Sequence, residues 1–304
     1  MTIGSPFDHF LASVRLVADY IITNPPGFSL ERLKALVVPG NRSPGADGQI
    51  DVFFCLSTGR VGTKTLAALL ATSPDLLVRH EPRPLLFGLS KAAYMSPEIL
   101  ETEFAGFAFQ AARSDIIHHA GKIGRAYVET SPHATFLSPL IARALPGAKF
   151  IHLVRNPADV VRSGMRRRWY QGHPADHTRI QPQVGSDDAV SWENWSPFQK
   201  NCWLWSETNQ WILDFTGKLP AERTLLMKSE DIYSADPIAL GQLQSFIGLP
   251  DLAGSRVTRI LKRPLNVQRD GDFPFYDHWA DEEKRSFAEM VGVVASRLGY
   301  RVGG

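Results

Sequence analysis

An α/β fold with one parallel β-sheet flanked by helices is what the sequence predicts, and three observations predict it. Between residues 50 and 300, short apolar runs alternate with segments of helical period. The strongest runs, "IDVFFCLS" (50–57) and "KFIHLVRN" (149–156), are continuously apolar over most of their length, as in strands buried on both faces. The chain has 304 residues, 44% hydrophobic and 21% charged, which is enough to bury one large core. Strands separated by helices are joined by right-handed crossovers, so the sheet is parallel and carries helices on both sides.

The elements follow in order. Residues 6–22, "PFDHFLASVRLVADYII", place Phe7, Phe10, Leu11, Val14, Val17 and Ile21 on one helical face. Residues 1–49 therefore read as an N-terminal helical extension packed on the core, and residues 50–304 as a single α/β domain. "NPPGFS" breaks the first helix, and "PGNRSPGADGQ" (39–49) is a Gly/Pro-rich surface loop. Strands are expected at 50–57, 75–81, 124–131, 149–156 and 224–230. Helices are expected over "TKTLAALLAT", 98–120, "FLSPLIARAL", 158–170, 198–215, about 236–247 and 281–298.

Composition narrows the function. The net charge is +2, so bulk electrostatics predict no nucleic-acid partner, and any anion site must come from local Arg and Lys. The two cysteines, Cys55 and Cys202, show no CxxC spacing and read as buried free thiols. Asp8 comes early without a basic, apolar, small-residue progression, and no apolar run approaches the roughly 20 residues of a membrane helix. A cytoplasmic protein without a transmembrane segment is the expectation.

Chemistry first shows in "CLSTGRVGTKTLAALL" (55–70), where a strand runs into a helix through a turn holding two glycines. Gly59 and Gly62 allow the tight turn, and the helix that follows offers free N–H groups and a positive dipole end to an anion. Arg60 and Lys64 add charge, and Thr63 and Thr65 add hydroxyls. The nucleotide-triphosphate loop GxxxxGK[ST] needs Lys directly after Gly, but here Thr63 separates Gly62 from Lys64. That register disfavours a kinase using ATP and Mg²⁺, which stays the alternative.

Arg60-Val61-Gly62-Thr63 resembles the 5′-phosphosulfate loop of the sulfotransferase family: a basic residue, a small residue, then Gly-Thr. It departs from the family pattern at Val61 and Lys64, and Thr65 leaves no Trp where some members stack the adenine. A second stretch, "VRNPADVVRS" (154–163), resembles the family's 3′-phosphate motif, with Arg155 at a strand end and Ser163 eight residues on. An arginine there gives a charge-assisted fork at the strand tip. Similarity extends to "LLMKSED" and the closing "HWADEEKRSFAEMVGVVASRLGY", so it spans roughly 50 to 300. The resemblance implies the donor 3′-phosphoadenosine 5′-phosphosulfate (PAPS), an adenosine 3′,5′-bisphosphate product and no metal. It implies that Arg60, Val61, Gly62, Thr63, Lys64, Thr65, Arg155 and Ser163 hold the donor. Arg269, in "VQRDGDFPF", echoes a loop closing over the 3′-phosphate, with Arg263 as its alternative.

Transfer to a hydroxyl also needs a base and positive charge on the leaving phosphate. Arg60 is expected to supply that charge. Glu81, His80, His133 and Glu129 are the candidate bases. "SPDLLVRHEPRP" (73–84) resembles the stretch of tyrosylprotein sulfotransferases that carries a catalytic Glu, and Glu81 falls on it. "YVETSPHATF" (127–136) resembles a segment that carries a Lys in glycan sulfotransferases, and Thr130 stands there instead. On the acceptor side, "MRRRWYQGHPADHTRIQPQVGSDDAVSWENW" (165–195) carries Trp169, Tyr170, Trp192 and Trp195. It reads either as a flap over a sugar or aromatic acceptor, or as aromatics filling a loop core. Glycan, lipid headgroup, phenol and peptide tyrosine all stay open as acceptors. A nucleotide-binding protein without turnover is the third possibility.

Overall fold

The computed structural model describes residues 50–249, 257, 260, 261 and 271–302. The extension expected over 1–49, Arg263 and Arg269 lie outside the described residues. Among the described residues five strands form one sheet: β1 (Val52–Leu56), β2 (Leu76–Arg79), β3 (Ala126–Glu129), β4 (Lys149–Val154) and β5 (Thr224–Lys228). Their order is β2-β3-β1-β4-β5, and every pairing is parallel. All five fall inside the stretches the sequence predicts.

The unbroken apolar run of β1 has a direct cause. Successive side chains point to opposite faces, so Val52, Phe54 and Leu56 enter one core layer while Phe53 and Cys55 enter the other. The first layer is closed by α2 (Phe87–Met95), α3 (Glu103–Lys122) and α4 (Ser138–Ala144). The second is closed by α1 (Thr63–Leu70), α5 (Pro157–Arg166), α9 (Pro237–Ile247) and α10 (Asp281–Arg297). Between α5 and α9 come short α6 (Asp187–Ser191), long α7 (Pro197–Thr216), which feeds both layers, and short α8 (Ser229–Tyr233). Cys55 and Cys202 are buried free thiols, and no helix among the described residues is long and apolar enough to cross a membrane.

The helix bounds differ from expectation in places. The helix expected from 98 begins at 103, because Thr102 accepts a hydrogen bond from Ala105 N and starts the true first turn. The helix expected to 170 stops at Arg166, and Arg168 and Tyr170 turn the chain with φ of 58° and 60°. Helices α2, α6 and α8 were not expected. Between β1 and β4 the following connections leave for opposite edges of the sheet. A crevice at the carboxyl ends of these two strands is where such sheets bind ligands.

Candidate active site

The turn after β1 is held open by its own backbone. Gly59, Arg60 and Gly62 have φ of 76°, 60° and 92°, and Gly62 caps α1 without any side-chain cap. The first amides of α1 are thus left for an outside acceptor. A Cβ at Gly62 would run into the Tyr233 hydroxyl, so glycine is required there for space as well as for φ. Thr135 ties the strand tip down: its hydroxyl donates to Ser57 O at 3.0 Å and accepts from Ser57 N at 3.0 Å. Ser229, at the start of α8, sets its hydroxyl against Val61 O and, at 3.0 Å, against Val154 O. That one residue joins the turn after β1 to the end of β4. Thr65 is 2% exposed, and its Oγ1 has no hydrogen-bond partner.

The second motif arrives at the same place. Asn156 caps α5 by accepting from Ala158 N, with Pro157 at the first helical position, so Ser163 emerges two turns along. Arg60 Nε donates to Ser163 Oγ at 3.1 Å across 103 residues of sequence. Arg155 pairs instead with Asp159, at 2.7 Å, one turn along α5. Burial, and then the like charges of Arg167 and Arg155, lower the Arg60 pKa from 12.5 to about 10. Arg60 therefore stays charged at neutral pH in a crowd of cations. Arg162 and Arg166 line the same crevice and donate to Phe273 O at 3.0 Å and Gly271 O at 2.9 Å, fastening the segment that leads to α10.

Beyond β2 stand His80 and Glu81. His80 Nδ1 lies 2.8 Å from Thr130 O, and a carbonyl only accepts, so this nitrogen carries the proton. In the neutral ring Nε2 then holds the lone pair, 3.9 Å from Glu81 Oε1. Glu81 has φ of 48°, in the left-handed region that a residue with a Cβ rarely occupies. Glu129, one of the four candidate bases, is excluded by its surroundings. It is 1% exposed, takes Arg113 Nε at 2.7 Å and Nη2 at 3.0 Å, and accepts from Tyr127 OH at 2.9 Å. That carboxylate is spent inside the core. His133 is half-buried and lies edge-on to Phe87, and burial lowers its pKa.

A cleft of about 620 Å³ joins these groups. It brings together Arg60, Gly62, Thr63, Lys64, Thr65, Glu81, Arg155 and Ser163, with His80 and His133 beside them. Val61 does not line it; the side chain is 1% exposed and packs into the core below. Of the aromatic stretch after α5, only Trp169 reaches the cleft, with the Arg179 guanidinium 4.2 Å above its ring. Trp192 is buried against Tyr170 and Trp203, and Trp195 packs on it, so these rings fill a core. Of the three arginines at 166–168, only Arg166 lines the cleft. Residue patterns did not single out Ser229, Tyr233, Thr135 or Lys91. "MKSED" after β5 was the available signal for the first two, since a turn at that strand end must face the same crevice.

The family described as "Sulfotransferase family" matches residues 52–253. No curated protein matches the sequence at a significant level. Among solved structures, the sulfotransferase domain from the curacin biosynthetic pathway is 19% identical, with a TM-score of 0.49 over 84% of this chain and 99% of its own. The sulfotransferase domain of the Synechococcus PCC 7002 olefin synthase is 18% identical, with a TM-score of 0.48 over 85% of this chain and 98% of its own. The mouse sulfotransferase SULT7A1, solved in complex with PAP, is 16% identical, with a TM-score of 0.47 over 81% of this chain and 85% of its own.

Proposed function

Because the chain belongs to the sulfotransferase family, we propose that it moves the sulfuryl group of PAPS to the hydroxyl of an acceptor, with Glu81 as the base. One observation carries this reading: the Arg60–Ser163 hydrogen bond, which joins the two phosphate motifs in a single cation-lined crevice. The residues present suit a doubly phosphorylated ligand. The uncapped start of α1, Lys64 and the unpartnered Thr65 hydroxyl suit the 5′-phosphate end. Arg155 and Ser163 suit the 3′-phosphate, with Asp159 holding the arginine until the phosphate competes for it.

The acceptor oxygen attacks sulfur in line as the bond from sulfur to the 5′-phosphate oxygen breaks. The acceptor proton goes to the Glu81 carboxylate, and the charge released on the phosphate falls on Arg60 and Lys64. The products are a sulfate ester and adenosine 3′,5′-bisphosphate. Arg60 is penalised by burial and then by the like charges beside it, so a phosphate beside it offsets both. Glu81 is preferred over His80 because its carboxylate is 42% exposed and lines the cleft, whereas His80 is anchored to Thr130.

The test is release of the bisphosphate from PAPS with a hydroxyl acceptor, in the parent and two variants. Glu81→Gln should lower turnover by about 10²- to 10⁴-fold, the range general-base catalysis supplies. A greater loss in His80→Gln than in Glu81→Gln would move the base role to His80.

A further inference from the structure

On the reading that this cleft transfers a sulfuryl group, we propose that the acceptor is itself an anion: a hydroxyl compound with an apolar body and a carboxylate, phosphate or sulfate group recognised by Lys91. Helix α2 places Phe87 and Lys91 four residues apart, hence on one face, and both line the cleft. Ring contacts fix where that face lies. Phe87 sits edge-on to His133, at 6.1 Å, and to His177, at 5.9 Å. His133 lies within the field of the Glu81 carboxylate. The face of α2 therefore borders the Glu81 end of the cleft, where an acceptor hydroxyl must sit.

Lys91 is a cation held without a counter-ion. Its ammonium donates to His177 O at 2.9 Å, and no carboxylate among the described residues forms an ion pair with it. An ammonium has three donors and no acceptor, so two remain for a ligand. Among the described residues, Glu81 and Asp159 are the carboxylates that line the cleft, and Asp159 is engaged by Arg155. Phe136, Ile180 and Leu204 complete an apolar wall. An apolar wall beside a cation that no described carboxylate pairs selects an amphiphilic anion over a neutral or cationic molecule of the same shape.

Three probes of one shape test this: 3-(4-hydroxyphenyl)propionate, its methyl ester and tyramine. Each is offered with PAPS, and each is added to protein saturated with adenosine 3′,5′-bisphosphate for a thermal midpoint. The acid should exceed the ester by about tenfold in kcat/KM or in midpoint-derived affinity, the worth of a charge-assisted hydrogen bond, with tyramine lowest. Lys91→Met should remove that preference through KM and keep the midpoint rise with bisphosphate. Lys91→Arg should restore most of the preference. A lysine that only braced the 177 loop would shift all three probes together. The inference is overturned if the acid holds no advantage over the ester in either readout, or if Lys91→Met leaves the advantage intact. A bisphosphate that fails to raise the midpoint at all would instead overturn the sulfotransferase reading beneath it.

Discussion

Arg60 and Glu81 are two of the five described non-glycine residues with positive φ, and both line the cleft. A residue with a Cβ pays roughly 1 kcal/mol or more to stay in that region, and such strain persists where function requires it. Glu81→Gly should therefore raise the unfolding midpoint, by about 2 °C for a chain of this size, while turnover is lost. An unchanged or lower midpoint would show that the turn at Glu81 is not strained. At Glu129 the expectation has the opposite sign. Glu129→Ala leaves the buried Arg113 guanidinium without its carboxylate, a loss of about 3–5 kcal/mol, measurable by denaturant unfolding. The sequence offered both glutamates as bases, and only the resemblance of the stretch around Glu81 set that one ahead. Arg113, which neutralises Glu129, comes from a different element 16 residues away.

At the scale of elements, the motifs depend on how closely α5 approaches α7. A Cβ at Gly164 would run into the Asn201 side chain, which is itself bonded to Pro197 O at 2.8 Å and Trp169 O at 3.3 Å. Gly164→Ala should push α5 outward, costing about 1–3 kcal/mol, and weaken bisphosphate binding because Ser163 moves with it. Full stability with normal binding in that variant would contradict the packing argument. The five strands were legible because continuous apolar runs in a parallel sheet leave few alternatives. Helix α2 was not, because "EPRPLLFG" (81–88), which runs into its first two residues, carries two prolines and a glycine within eight residues. Missing α2 also hid Lys91. Ser229 and Tyr233 were missed for another reason: they meet the turn after β1 only once β5 pairs with β4.

Over the whole molecule a net charge of +2 conceals an uneven distribution. Among the described residues, Arg60, Lys64, Arg155, Arg162 and Arg166 share one cleft with the carboxylates of Glu81 and Asp159. The acid response comes from elsewhere. His152, on β4, is 3% exposed and donates from Nε2 to Asn209 Oδ1 at 2.9 Å, and burial lowers its pKa from 6.5 to about 4. The unfolded chain takes up this proton below about pH 6.5, and the folded chain only near pH 4. Stability is therefore full above that window and falls through it by about 3 kcal/mol. His152→Gln, which keeps a donor for Asn209, should flatten that acid limb in unfolding measured from pH 7 to 4. On the proposed function, the two motifs hold one nucleotide with 3′- and 5′-phosphate groups. Thermal unfolding with adenosine 3′,5′-bisphosphate, set against 5′-AMP and ATP with Mg²⁺, tests it most directly, since a ligand of the native state must raise the midpoint with occupancy. A clear rise is expected with the bisphosphate alone, abolished by Arg155→Ala. A rise with ATP and Mg²⁺ and none with the bisphosphate would contradict it.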